Sequence, residues 1–217
     1  MIRRRALFAA AGTWMLMARA TMGSVRKPRL PPGRDPGGVA VALIGGGVDY
    51  TDPVLASRLA RDGEGELIGW DFIDGDNRPF AQGADGTAPL RPLIDRAPSA
   101  RFIQIRVPRE DPAVRLVALG FALQTPARLV LFSDGPLQAD SLERVRAMAA
   151  AARSVLVVGA ADVPAARVAV NLLLLPDPAT CLTAIQLAVR LIDSERIETG
   201  AALGQRLQAS PELLRRP

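Results

Sequence analysis

A run of six aliphatic residues, Val39-Ala40-Val41-Ala42-Leu43-Ile44, breaks at Gly45-Gly46-Gly47 and is followed shortly by Asp52-Pro53. An unbroken apolar run of this length fits a strand covered on both faces. Aspartate followed by proline reads as a helix cap and first helical residue. The stretch is therefore strand, tight turn, helix. In an open parallel sheet such a turn lies at the carboxyl edge, where ligands and catalytic groups gather. Chemistry is to be sought there.

Further along, strand-like and helix-like stretches alternate. Strands are expected at 39–44, 66–72, 101–107, 128–132, 154–159 and 167–174, and helices at 53–61, 111–123, 137–152 and 179–194. This alternation predicts an α/β domain with a mostly parallel central sheet and helices on both faces. No repeat of 20–50 residues is present.

The ends read differently. Residues 1–20 carry Arg3, Arg4 and Arg5, an apolar run from Ala6 to Met17, and Ala18-Arg19-Ala20 as a small-x-small cleavage site, the pattern of an export signal. The apolar run is well short of the roughly 20 residues that span a bilayer, so no stable membrane anchor is expected. The protein is expected to be exported, to the periplasm or the medium. Residues 21–38, rich in Pro, Gly and Arg, read as an extended linker or arm. The domain occupies 39–194, and 195–217 reads as a surface helix or frayed tail.

Loss of the signal removes four arginines and takes the net charge from +5 to about +1. With no His and a single Lys, the high isoelectric point reflects arginine chemistry and does not imply a nucleic-acid partner. Cys181 is the only cysteine, which excludes an internal disulfide.

Several segments, taken together, resemble the subtilisin-like serine peptidases. Residues 39–55 are similar to that family's first motif, V-A-V-I-D-T-G-V-D-Y-x-H-P-D-L, with Ile44, Gly47, Val48, Asp49, Tyr50, Thr51, Pro53 and Leu55 in place. Gly69-Trp70-Asp71-Phe72-Ile73-Asp74-Gly75-Asp76-Asn77 resembles G-W-D-F-V-D-x-D-N. Ala97-Pro98-Ser99-Ala100 through Arg106-Val107 resembles A-P-x-A-x-I-x-x-x-R-V. Residues 129–135 are similar to the strand ending in S-L-G, and 155–161 to the strand before the oxyanion asparagine. The order and spacing match from Val39 to Val163. The resemblance implies a subtilisin-like three-layer sandwich, with Ser133, Asp134 and Gly135 lining a substrate groove.

The same alignment empties the catalytic positions. The family's aspartate falls on Gly45 and its histidine on Asp85, within Ala84-Asp85-Gly86-Thr87-Ala88-Pro89. The oxyanion asparagine falls on Val163 or Asp162, and the serine on Cys181 within Ala179-Thr180-Cys181-Leu182-Thr183-Ala184. The gap before Cys181 is shorter than the family's, which implies a lost section of the fold. A carboxylate of ordinary pKa is a poor base at neutral pH. Neither Val163 nor Asp162 has a side chain that donates to an oxyanion. The expected function is a pseudoprotease that binds a peptide or protein partner.

Two alternatives stand beside it. A residual serine- or cysteine-type endopeptidase would use Asp85 as base and Cys181 as nucleophile. Cysteine at a helix start can have a lowered pKa, but it is equally a common buried hydrophobe. A nucleotide or small-ligand module would use the triple glycine, although Asp49 and Asp52 oppose a phosphate there. No cofactor is expected. Asp71, Asp74, Asp76 and Asn77 offer the oxygen set of a calcium ion, and equally the ordinary chemistry of a tight turn.

Overall fold

The computed structural model describes residues 27–161, 171–210 and 213. Six strands form one sheet: β1 (Val39–Gly45), β2 (Trp70–Asp71), β3 (Ala100–Arg106), β4 (Leu129–Phe132), β5 (Leu156–Ala160) and β6 (Leu172–Leu175). Their order is β2-β3-β1-β4-β5-β6, and every pairing is parallel. The helices are α1 (Pro53–Ala56), α2 (Ala84–Arg96), α3 (Pro112–Ala122), α4 (Ala139–Ala151), α5 (Pro178–Glu195) and α6 (Gly200–Gln208). The α/β class with a parallel sheet between two helical layers is as expected.

Alternation along β1 explains the layering. Val39, Val41 and Leu43 pack on one side with residues of α1, α2, α5 and α6. Ala40, Ala42 and Ile44 pack on the other with α3 and α4. All seven β1 residues are buried, as an apolar run under two covering layers requires. β1 is central, with β3 against one edge and β4 against the other.

The chain leaves β1 towards the α1 layer and leaves β3 and β4 towards the α3–α4 layer. Adjacent strands whose exits diverge open a crevice at their carboxyl ends. Gly45 and Ser133 stand at its mouth.

Several elements differ from the sequence expectation. The helix expected at 53–61 stops after one turn at Ala56, because the following residues bridge to strands: Leu59 pairs with Phe102 and Arg61 with Leu67. The strand expected at 66–72 is reduced to Trp70–Asp71. Helix α2 was not expected, and it carries Pro89 and Pro92 in its interior. The strand expected at 167–174 runs over Leu172–Leu175, and its first residues lie outside the described ones.

The described parts of both flanking segments, 27–38 and 195–210, belong to the body of the domain. Residues 27–38 lie along it without regular structure, held at several points: the Tyr50 hydroxyl donates to Pro28 O at 3.3 Å, and Asp35 accepts from the Arg61 amide at 2.8 Å and pairs with Arg101 at 2.5 Å. At the other end α6 buries Leu203 and Leu207 in the core rather than lying on the surface. Arg128 fastens the approach to α6 by donating to the carbonyls of Ile197 and Glu198. Among the described residues no helix is long and apolar enough to cross a membrane.

Candidate functional site at the carboxyl edge of the sheet

The crevice is built from the turn after β1 and the turn after β4. Val107 donates its amide to Gly45 O at 2.8 Å, and Ser133 donates its amide to Ile44 O at 2.9 Å, so both neighbouring strands clamp the end of β1. The Ser133 hydroxyl also donates to Ile44 O, at 3.3 Å. Gly46 O accepts from the side-chain amide of Gln104, a buried residue of β3.

Gly45 is the residue that the sequence resemblance sets against a peptidase acid, and the space beside it is filled. A Cβ built there overlaps the Ser133 hydroxyl and lies 2.9 Å from Asp134 Cβ and 3.3 Å from its amide nitrogen. A hydroxyl can rotate away, but a backbone nitrogen and a Cβ cannot. Packing therefore excludes a side chain at this position unless the 133–134 turn moves.

That turn is held firmly. Arg115 of α3 donates to Gly135 O at 3.2 Å and to Pro136 O at 3.1 Å, with its guanidinium 5.3 Å from the centre of the Phe132 ring. Arg109 Nε donates to the Asp134 carboxylate at 3.1 Å. Gly135 has φ = 81°, a left-handed conformation that glycine adopts without strain. Thus Ser133 and Asp134 lie beside Gly45, and their turn is tied down by Arg115 of α3 and by Arg109 just ahead of that helix. Arg115 was missed in the sequence, though a signal existed: it shares the buried stripe of α3 with Ala118, Leu119 and Ala122. An arginine on a core-facing stripe needs partners.

Asp85 is the second residue of α2. The start of this helix approaches the turn after β1, where Thr87 Oγ accepts the Asp49 amide at 3.3 Å. Asp162 and Val163 lie outside the described residues.

Cys181 falls in the first turns of α5, after an N-cap at Asp177 whose carboxylate accepts the Thr180 amide at 2.9 Å and its hydroxyl at 2.6 Å. The helix start does not activate the thiol. Cys181 is 1% exposed among Ala184, Ile185 and the residues of β4 and β5 in the core. Burial, with the nearby Asp177 charge adding to it, pushes its pKa up to about 12. At neutral pH it is a thiol, the form that does not attack. We expect a thiol-directed disulfide reagent to leave the folded chain unmodified over hours and to label one thiol within minutes in denaturant. Rapid labelling of native protein would show that Cys181 is accessible after all.

The helix after the triple glycine is poorly placed to hold a phosphate. Helix α1 is one turn long, and the Asp52 carboxylate takes the Val54 amide at 2.9 Å. Asp49 folds onto its own turn, accepting the Thr51 amide at 3.0 Å.

The acidic turn after β2 does gather, and at its centre is an ammonium. Lys27 Nζ lies 2.7 Å from Asp71, 2.9 Å from Asp74, 2.9 Å from Asp76 and 2.7 Å from the Arg78 carbonyl. Arg106 completes the group at 3.0 Å from Asp71 and 3.1 Å from Asp74. The cation role is filled from within the chain by its single lysine. Among the described residues no group of three or more His, Cys, Asp and Glu is arranged to hold a metal ion.

No family model matches the sequence, and no curated protein sequence matches it. Among solved structures the chain is similar to the crystal structure of a lanthipeptide protease, at 24% identity and a TM-score of 0.45, over 58% of this chain and 40% of that one. The chain thus spans less than half the length of that protein. At this score the likeness bears on neither fold nor chemistry.

Proposed function

We propose that this chain is an exported subtilase-derived domain that has kept the sheet and lost the groups that move protons, and that it binds a peptide or protein partner without cleaving it. The observation that carries the reading is the closed position at Gly45, where the 133–134 turn fills the volume an acid would need. Two facts support it. The chain contains no histidine, and the thiol aligned with the nucleophile is buried and protonated. Serine and cysteine hydrolases need a nucleophile within reach of a base. The partner would meet the carboxyl edge beside Ser133, Asp134 and Gly135.

The test is turnover of a generic fluorogenic casein between acid and neutral pH, paired with equilibrium binding of uncleavable unfolded peptide measured by anisotropy. We expect no cleavage above a protein-free control, and saturable peptide binding that weakens when Ser133 is changed to a bulky residue. Turnover abolished by Asp85→Asn or Cys181→Ala would overturn the proposal and favour the residual peptidase. Cell fractionation and mass spectrometry of the mature chain test the export, with Thr21 as the expected first residue.

A further inference from the structure

The docked arm and the turn between Arg61 and Leu67 enclose an open cavity of about 430 Å³ that plays no part in the crevice chemistry. This volume is at the small end of ligand pockets. The arm contributes Arg29 and an apolar wall of Leu30, Pro31 and Pro32, and the turn contributes Arg61, Glu64 and Glu66; Arg78 completes the lining. The turn is rigid. Asp62 accepts the amides of Glu64 at 2.9 Å and Glu66 at 3.0 Å, and donates its own amide to Glu66 O at 2.9 Å.

Arg61 is the unusual member. It is 4% exposed, yet among the described residues its guanidinium donates to two main-chain carbonyls alone, Gly65 O at 2.7 Å and Pro31 O at 3.0 Å. A guanidinium has five N–H donors and a full charge, and burying it without an anion is costly. Among the described residues no carboxylate lies within ion-pair distance of the guanidinium of Arg61, Arg29 or Arg78. The backbone is fitted closely around this group: a Cβ at Gly33 would stand 3.0 Å from Arg61 Cζ. Among the described residues the cavity thus has guanidinium groups that form no ion pair, the carboxylates of Glu64 and Glu66 likewise without an ion-pair partner, and an apolar side.

The geometry points to a binding site for a small zwitterion, an amino acid or short peptide with free termini. Its carboxylate meets Arg61, Arg29 and Arg78, its ammonium meets Glu64 and Glu66, and its side chain lies on Leu30 and the prolines. The assignment is independent of the crevice and of any loss of catalysis there.

Calorimetric titration of the purified full chain with the dipeptide Ala-Leu, its N-acetyl form, its C-terminal amide and inorganic phosphate tests it. Free Ala-Leu should bind saturably, and blocking either terminus should weaken binding about 10-fold or more, as loss of a charge-assisted pair implies. The exposed pair Arg29→Gln with Arg78→Gln should weaken Ala-Leu by about 10-fold without changing the melting temperature. Glu64→Gln with Glu66→Gln should erase the preference for the free over the acetylated amine. Absence of saturable Ala-Leu binding at millimolar concentration overturns the assignment. So does binding indifferent to blocked termini or to either pair of substitutions, or phosphate competing as well as the dipeptide.

Discussion

Gly45→Ala should destabilise the fold by about 1–3 kcal/mol, the usual cost of overpacking a filled site. Gly45→Asp should cost more and should gain no peptidase activity. The loss begins at Cβ, before any charge is added, because the added atom meets the Ser133 hydroxyl, Asp134 Cβ and the Asp134 amide nitrogen. Arg115 and Arg109 hold that turn, so it yields only by breaking their bonds. A carboxylate would also lie against Asp134 and repel it. In a domain of this size about 2–4 °C of melting temperature is lost per kcal/mol. Thermal melting followed by circular dichroism reads the effect. A Gly45→Ala protein melting with the parent would sink the packing argument, and peptide cleavage by Gly45→Asp would sink the functional one.

Lys27→Met should cost about 2–4 kcal/mol, somewhat below the roughly 3–5 kcal/mol found when one partner of a fully buried ion pair is removed, because Asp74 and Asp76 are half exposed. The substitution keeps the stem and deletes the charge. Asp71, fully buried, is then left with Arg106 as its one cationic partner among the described residues, and Asp74 and Asp76 lose the ammonium between them. Chemical denaturation measures the loss. Limited trypsin digestion measures the second consequence, faster cutting after Arg29 and Arg34 as the arm comes away. Unchanged stability and unchanged digestion would mean that the latch contributes nothing.

The pH dependence of this latch has a definite sign. The hydrogen bond from Lys27 holds the Asp74 carboxyl below its ordinary value, against the opposing effect of burial. A depressed carboxyl gives stability that is present above its unfolded pKa and is lost as pH falls through the folded one. Burial lowers the Lys27 pKa, but its bonds to Asp71, Asp76 and Asp74 outweigh this and raise it above 10.5. A raised amine gives stability that is present below the unfolded value and is lost as pH rises through the folded one. The parent should therefore be most stable between the ordinary carboxylate range and about pH 10.5, and Lys27→Met should flatten both limbs.

The core strands were legible because each is a short apolar run, and no other structure satisfies 39–44 or 129–132 so simply. Helix α2 was not legible, because Gly86, Pro89 and Pro92 depress helix propensity and only packing of Leu90, Leu93 and Ile94 against the core offsets this. The expected extension of α1 failed for the converse reason: backbone pairing of Leu59 and Arg61 with Phe102 and Leu67 replaced helical bonds. At the carboxyl edge, the pattern of an apolar run broken by glycines pointed to the turn after β1, but the crowding of Gly45 by Ser133 and Asp134 is a tertiary fact. Lys27 had a visible signal as the chain's only lysine, yet its partners lie 44 and 49 residues away. Arg61 had none, since its burial depends on the arm folding back over it.

The central place of β1 sets the order in which the protein can be completed. Val41 pairs with Phe102 on one side and Leu129 on the other, so the fully buried β1 has neither flank covered until the later segments that form β3 and β4 have been made. Until then its apolar side chains and unpaired backbone groups are open to other chains. Closure of the sheet on both sides of β1 is therefore the step that turns an open, pairing-competent chain into one whose central strand has no free edge.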